Sequence, residues 1–194
     1  MMLGKNVGSE ETWKRIPFNS VGVEIGVWKG DSSEKFLRKA SHLHLVDQWS
    51  PISYENSTEH GSYENYLNRY SKLVGSKDPR DFQKFYDKIY QDVIKRFENK
   101  PVTIHRMNSH EFFESFDQKV DWVYVDADHS YEGCLYDLEH SLQILKPNGI
   151  IFGDDYTNKP GVHRAVNEFI EKTGLTLNNF FGTQYEIQLC THQA

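Results

Sequence analysis

The chain of 194 residues has only two cysteines, Cys134 and Cys190, and neither lies in a CxxC or Cys/His spacing. That excludes a disulfide framework and gives no sign of a zinc site. No apolar run reaches 18 residues, and Met1 to Glu10 lacks the apolar core and cleavage site of a secretory leader. Positive charge is in deficit: 22 Lys and Arg stand against 28 Asp and Glu, a formal charge of −6, and the basic residues form no long run. That balance speaks against a non-specific grip on nucleic acid or on a membrane surface. Internal repeats and low-complexity tracts are missing as well. These absences lead to the expectation of a soluble, cytoplasmic protein folded as one domain over 1–194, long enough to bury a full core.

Aromatic residues, by contrast, are plentiful at 14%, which favours a folded domain with a pocket for an organic ligand. Short apolar runs alternate with helical patterns, the signature of a parallel α/β sheet. The runs are Val21–Val27, Leu43–Val46, Val102–Met107, Val120–Val125 and Ile150–Phe152. Each is nearly continuous, as expected of strands covered on both faces. Between them, Asp31 with Glu34 reads as the capped start of a helix through Lys39. Tyr131–Lys146 carries a stripe of Leu135, Leu138, Leu142 and Leu145, and Pro147-Asn148-Gly149 stops it. A further helix spans about Val162–Lys172, and Leu175–Cys190 reads as two antiparallel strands.

Residues 49–100 break the alternation. The second half is a strong helix, with Asp78 as cap, Pro79 at the first turn, and Phe82, Phe85, Ile89, Val93 and Phe97 on one face. Six of the eleven tyrosines, at positions 54, 63, 66, 70, 86 and 90, fall in this insertion. Its polar first half, Trp49–Ser76, is either a surface insertion or a lid over the ligand site. Residues 1–20 read as an N-terminal arm.

The first run ends Glu24-Ile25-Gly26-Val27-Trp28-Lys29-Gly30 and enters a helix. Glycines there allow a sharp turn and close approach to a ligand. The pattern is not GxGxxG, and Glu24 would repel a pyrophosphate, so a nicotinamide oxidoreductase is disfavoured. A carboxylate suits a ligand with positive charge, such as an amino group or a sulfonium. Asp47, ending the second strand, is placed to accept from ribose hydroxyls. This acidic glycine turn followed by an acidic strand end resembles the class I S-adenosylmethionine-dependent methyltransferases. The resemblance implies a Rossmann-like fold: a mostly parallel seven-stranded sheet, helices on both faces and an antiparallel C-terminal strand. It implies S-adenosylmethionine bound by Glu24, Gly26, Gly30, Ser32, Asp47, Asn108, Ser109 and Asp126. For Asn108 and Ser109, a helix cap explains the same residues equally well.

Two acidic clusters follow. The fourth strand ends Asp126-Ala127-Asp128-His129 and the fifth ends Asp154-Asp155. Carboxyl ends of neighbouring parallel strands are where open α/β sheets bind ligands. Ionised carboxylates brought together in a cleft need a cation or raised pKa values. Oxygen ligands favour Mg²⁺, with Mn²⁺ or Ca²⁺ as alternatives. The strings Val125-Asp-Ala-Asp-His-Ser-Tyr-Glu132 and Gly153-Asp-Asp-Tyr156 resemble the metal-dependent O-methyltransferases of the macrocin, or Methyltransf_24, type. By that resemblance Asp126, Asp154 and Asp155 are the metal ligands. The catechol type has Asn at the last ligand and Lys three residues after the first, where this chain has Asp155 and His129.

Methyl transfer from a sulfonium needs an aligned, deprotonated acceptor. A base typically contributes ~10²–10⁴-fold and positioning ~7–11 kcal/mol. His129, with an ordinary pKa of ~6.5, is the first candidate base and Asp128 the second. The expected acceptor is a hydroxylated small molecule, a sugar or a phenolic ring. Neither nucleic acid nor membrane is an expected partner, and the aromatic content leaves room for a homo-oligomer. Two alternatives stay open: a metal-independent methyltransferase directed at nitrogen or carboxylate, and a non-catalytic cofactor-binding partner subunit.

Overall fold

The computed structural model describes residues 8–51, 59–180 and 182–189. Tyr54 and Cys190 therefore lie outside the described residues, as do parts of the arm and the insertion. Seven strands form one sheet in the order β3-β2-β1-β4-β5-β7-β6. They are β1 Ser20–Ile25, β2 Ala40–Asp47, β3 Val102–Arg106, β4 Val120–Val125, β5 Leu145–Gly153, β6 Thr176–Phe180 and β7 Gln184–Gln188. Pairing is parallel from β3 through β5, and β7 runs antiparallel to both β5 and β6.

Helices cover both faces. One face carries α5 Ser109–Ser115, α6 Tyr131–Ile144 and α7 Pro160–Thr173, packed on Val23, Ile25, Val123, Val125 and Ile151. The other carries α2 Asp31–Phe36, α3 Tyr63–Val74 and α4 Pro79–Arg96, packed on Leu43, Leu45, Trp122, Tyr124 and Phe152. The period-two alternation of Val123 and Val125 against Trp122 and Tyr124 sends the two sets to opposite faces. Gly22 sits under the indole of Trp122, where a Cβ would lie 2.1 Å from a ring carbon. α1 Gly8–Arg15 packs along β7, with the Thr12 hydroxyl donating to Gln184 and Arg15 beside Glu186.

Local chemistry accounts for most boundaries. Asp78 accepts from the Arg80 N–H at 2.9 Å, Pro79 opens α4, and Phe82, Tyr86, Ile89 and Val93 form its buried stripe. Ser130 caps α6 by accepting from the Gly133 N–H, and Gly174, at φ 67°, ends α7.

Three local readings differ. α2 begins with Gly30, at φ 78°, as its N-cap, and Asp31 pairs with Arg96 at 2.6 Å instead of capping. β5 begins at Leu145, four residues before the Asn-Gly turn ends, because Leu145 pairs with Val120 and residues 146–149 bulge before Ile150 resumes with Trp122. Within the polar half of the insertion a three-turn helix, α3, is capped by Ser62 and buries Tyr66.

Candidate active site

β1 leads to β2 on one side of the sheet and β4 lies on its other side, so the topological switch point falls between the carboxyl ends of β1 and β4. Gly26 and Asp126 meet there. Gly26 has φ 91°, and a Cβ on it would lie 2.1 Å from the Asp126 carbonyl oxygen. A cavity of about 1050 Å³ opens above, lined by Gly26, Ser32, Asp47, Asn108, Ser109, Asp126, Asp128 and His129 among others. Ligand sites run ~300–1,000 Å³, so this one is large.

Asp47 organises the glycine turn. Its Oδ2 accepts from the Val27 and Trp28 N–H groups at 3.1 and 2.9 Å, and its Oδ1 accepts from the Trp49 N–H at 2.7 Å. Burial raises its pKa, and these N–H donors oppose that. Trp28 and Trp49 have φ of 54° and 42°, costly for bulky residues, and the Trp49 indole donates to the Trp28 carbonyl at 2.8 Å. Arg96 fastens the same loop from α4, donating to the Lys29 carbonyl and pairing with Asp31 and Glu34.

Glu24 is fully buried behind the turn, and burial pushes its carboxyl up to about 8. The nearby Ser33 and Ser32 hydroxyls oppose that shift but stand outside hydrogen-bond geometry, leaving both carboxylate oxygens unpartnered. Glu24 is not part of the cavity wall. Gly30 shapes the turn against Phe97, whose ring a Cβ would meet at 2.7 Å. Asn108 caps α5 in a reciprocal box with Glu111, so its oxygen is committed to the helix.

At the ends of β4 and β5 the carboxylates divide into two settings. Asp126, His129 and Asp155 offer ligand atoms all within 4.8 Å of one another, the one such group among the described residues. His129 Nε2 lies 3.4 Å from Asp126 Oδ1 and 3.1 Å from Asp155 Oδ2. Asp154 stands apart from that group: its Oδ1 accepts from the Asp155 N–H at 2.7 Å and from the Thr183 hydroxyl. Asp155 itself has φ 65°, which turns its carboxylate back toward β4. Asp128 accepts from the Ser130 N–H at 2.8 Å and packs against Gly133.

Glu59, from the insertion, is the contributor that sequence reading missed. Its Oε1 lies 3.1 Å from His129 Nδ1 and 3.0 Å from Lys159 Nζ, with the carboxylate 8% exposed. Nothing in its local sequence marks it, because its partners lie 70 and 100 residues away. Burial would lower the His129 pKa, but Asp126 and Glu59 outweigh it and push it up to about 10. Burial, with Asp154 and Asp155 nearby, takes Asp126 up to about 7 against the pull of His129. Glu59 goes down to about 2, since His129 and Lys159 overcome its own burial. An imidazolium thus balances the carboxylates when nothing else does.

Comparison with known proteins gives a family and a fold. The family model Methyltransf_24, described as a methyltransferase domain, matches residues 23–156. Among curated proteins no sequence relative matches. A candidate caffeoyl-CoA O-methyltransferase from Staphylococcus aureus superposes with TM-score 0.62 at 16% identity, covering 96% of this chain and 85% of that one. A candidate methyltransferase from Streptococcus mutans, in complex with SAH, gives 0.60 at 10% identity, covering 97% and 100%. A candidate rRNA methylase from Clostridium thermocellum gives 0.61 at 11%, covering 98% and 100%. The chain spans about half, 47%, of Trm5b from Pyrococcus abyssi, at TM-score 0.51 and 15% identity over 94% of this chain. At these identities the likeness is one of fold.

Proposed function

The chain belongs to the Methyltransf_24 family and is an S-adenosylmethionine-dependent methyltransferase; from that premise we propose that it methylates a hydroxyl oxygen of a small molecule with the help of a divalent cation. The observation that carries this reading is the meeting of Asp126, His129 and Asp155 at the strand ends beside the cavity. Two carboxylates whose oxygens lie within 4.8 Å, the span of one coordination sphere, with an imidazole beside them, fit a cation such as Mg²⁺ or Mn²⁺. When bound, such an ion lowers the pKa of a hydroxyl and holds its oxygen.

The protein's own groups do the rest. Asp126 and Asp155 would hold the cation from two strands, while Asp154, tied to Thr183, fixes the turn that carries Asp155. Glu59 holds His129 at Nδ1, so that Nε2 faces the carboxylates; with a cation in place of its proton as their counter-charge, the imidazole would be neutral and Nε2 placed to take the hydroxyl proton. Asp128 is tied to the Ser130 N–H, which makes it the weaker base candidate. Asp47 and Gly26 would serve the donor by shaping the turn, as the acidic glycine motif leads one to expect.

A small acceptor fits better than RNA: the cavity has room for two ligands side by side, and a net charge of −6 would repel a polyanion. The aromatic walls Tyr66, Phe82 and Tyr86 suit a ring or a sugar face. A second reading, metal-independent transfer, rests on the ion pairs of His129, which already balance the acidic site.

Calorimetric titration of Mg²⁺ into protein saturated with S-adenosylhomocysteine separates the two. The metal reading expects a binding heat that is lost in Asp155→Asn. Turnover of hydroxylated acceptors that is unchanged by EDTA would remove it and leave the metal-independent reading.

A further inference from the structure

α3 turns one apolar face to the cavity. Tyr66, Tyr70, Leu73 and Val74, spaced as i, i+4, i+7 and i+8, share that face, and all four line the cavity wall. Such a stripe ordinarily disappears into a core. Here Tyr66 is buried, Tyr70 and Val74 are half-buried, and Leu73 is 53% exposed. Trp28 of the glycine turn and Phe85 of α4, whose rings meet at 5.9 Å, belong to the same wall. The Tyr66 and Tyr86 hydroxyls bond to each other at 2.6 Å, so the wall offers ring faces more than polar atoms. From Tyr66 to Val74 the helix advances about 12 Å. Its inner end adjoins the acidic site: the His60 ring stacks on Tyr66 at 5.6 Å, and the neighbouring Glu59 holds His129 at 3.1 Å.

We propose that the acceptor is a hydroxylated ring carrying an apolar extension of several carbons. Its hydroxyls lie at Asp126 and His129, its extension runs along the cavity face of α3, and Leu73 is a specificity-determining residue. The inference rests on the O-methyl transfer reading and narrows its acceptor. An apolar residue exposed singly needs no ligand, but four on one helix face, all in one cavity, make a continuous patch that does. A bare sugar would leave hydroxyls unpaired against Leu73, Val74 and Phe85, a cost that an alkyl or aryl group avoids. The cavity, at about 1050 Å³, has room for such an extension beside the donor.

The test is calorimetric binding of two probes, catechol and 4-hexylcatechol, to protein saturated with S-adenosylhomocysteine, once with Mg²⁺ and once with EDTA. Wild type should prefer the hexyl probe at least about tenfold, a modest share of what six buried methylenes can supply. Leu73→Asp sets a charge on the wall at an exposed position and should cut that preference at least about fivefold. The ratio of the two affinities is the readout, because a general loss of structure would weaken both probes alike. A smaller preference in wild type, or a smaller cut in the variant, overturns the proposal, and so does failure of the hexyl probe to bind under either condition. Should Leu73→Asp fail to fold, the wild-type ratio alone decides. The reading beneath fails separately: probe binding that EDTA leaves unchanged removes the cation, whereas equal binding of both probes that requires Mg²⁺ removes the apolar wall alone.

Discussion

Replacing Gly26 with alanine loads two separate costs onto one atom, and a second glycine separates them. At φ 91° an alanine leaves its favoured region, at about 1–3 kcal/mol. Its Cβ would also lie 2.1 Å from the Asp126 carbonyl oxygen and 2.8 Å from the Ala127 Cα, whereas ordinary contact begins at 3.4 Å. Backbone must therefore move by more than an ångström, and the piece that moves carries Asp126. Gly174→Ala is the control, because φ there is 67° and nothing lies within 4 Å of the added carbon. That variant should lose about 1–2 kcal/mol from backbone strain alone. Gly26→Ala should lose at least about 2 kcal/mol more in urea unfolding. Turnover should fall about 10²-fold, the usual scale for a 1 Å misplacement. Equal stability losses in the two variants, or a Gly26→Ala enzyme with wild-type turnover, would refute the close-contact argument.

Further outcomes follow from the same geometry. His44 is 4% exposed beside His42 and His105, and burial lowers its pKa to about 4. The unfolded chain then takes up a proton below ~6.5 that the folded chain refuses until about pH 4. Its stabilisation is thus complete above the unfolded value and lost on acidification between the two, on the order of 3 kcal/mol. His44→Phe should flatten the urea midpoint between pH 7 and pH 4.5 relative to wild type, and parallel curves would count against the assignment. Glu59→Gln should bring the His129 titration, followed by NMR, down from about 10 toward its ordinary value, and an unmoved titration would mean that Asp126 and Asp155 hold the proton alone. The depressed Glu59 pKa also means that its contribution is present above about pH 4.5 and lost as the pH falls toward 2, so the variant should lose that acid limb in unfolding curves. Phe36→Ala should cost about 3–5 kcal/mol in the same assay, against under ~0.5 kcal/mol for Phe18→Ala, since Phe36 is fully buried and Phe18 is 77% exposed.

The parallel strands were legible because burial on both faces leaves nearly unbroken apolar runs, and β4 coincides with its run to the residue. α4 was legible from Asp78, Pro79 and its apolar face, and α6 from its leucine stripe and the Pro147-Asn148-Gly149 stop. α3 was harder to see. Its stripe of Tyr63, Tyr66, Leu67 and Tyr70 is helical in period, but tyrosines also suit a ligand wall, and the Ser62 cap was not picked out. Within the site, motif order placed Asp126 and Asp155 together at neighbouring strand ends. What it could not convey was direction: a positive φ turns Asp155 one way while Thr183 and the Asp155 N–H draw Asp154 the other. Asp47 was read as a group for a ribose, and its oxygens proved to be largely occupied in bracing the turn.

The antiparallel strand β7 has a consequence for the order in which the protein can be made. It pairs with β5 over residues 185–188, lays the Tyr185 ring on Gly153, and sits just after Thr183, the partner of Asp154. The Tyr156 N–H and the Thr157 hydroxyl also end on Thr183 and Gly182. The turn that aims Asp155 is therefore braced by segments made some thirty residues after it. While the chain is still emerging from the ribosome, the strands that precede β7 are able to pair, yet the brace on the turn at Asp154 is missing until the hairpin of β6 and β7 closes.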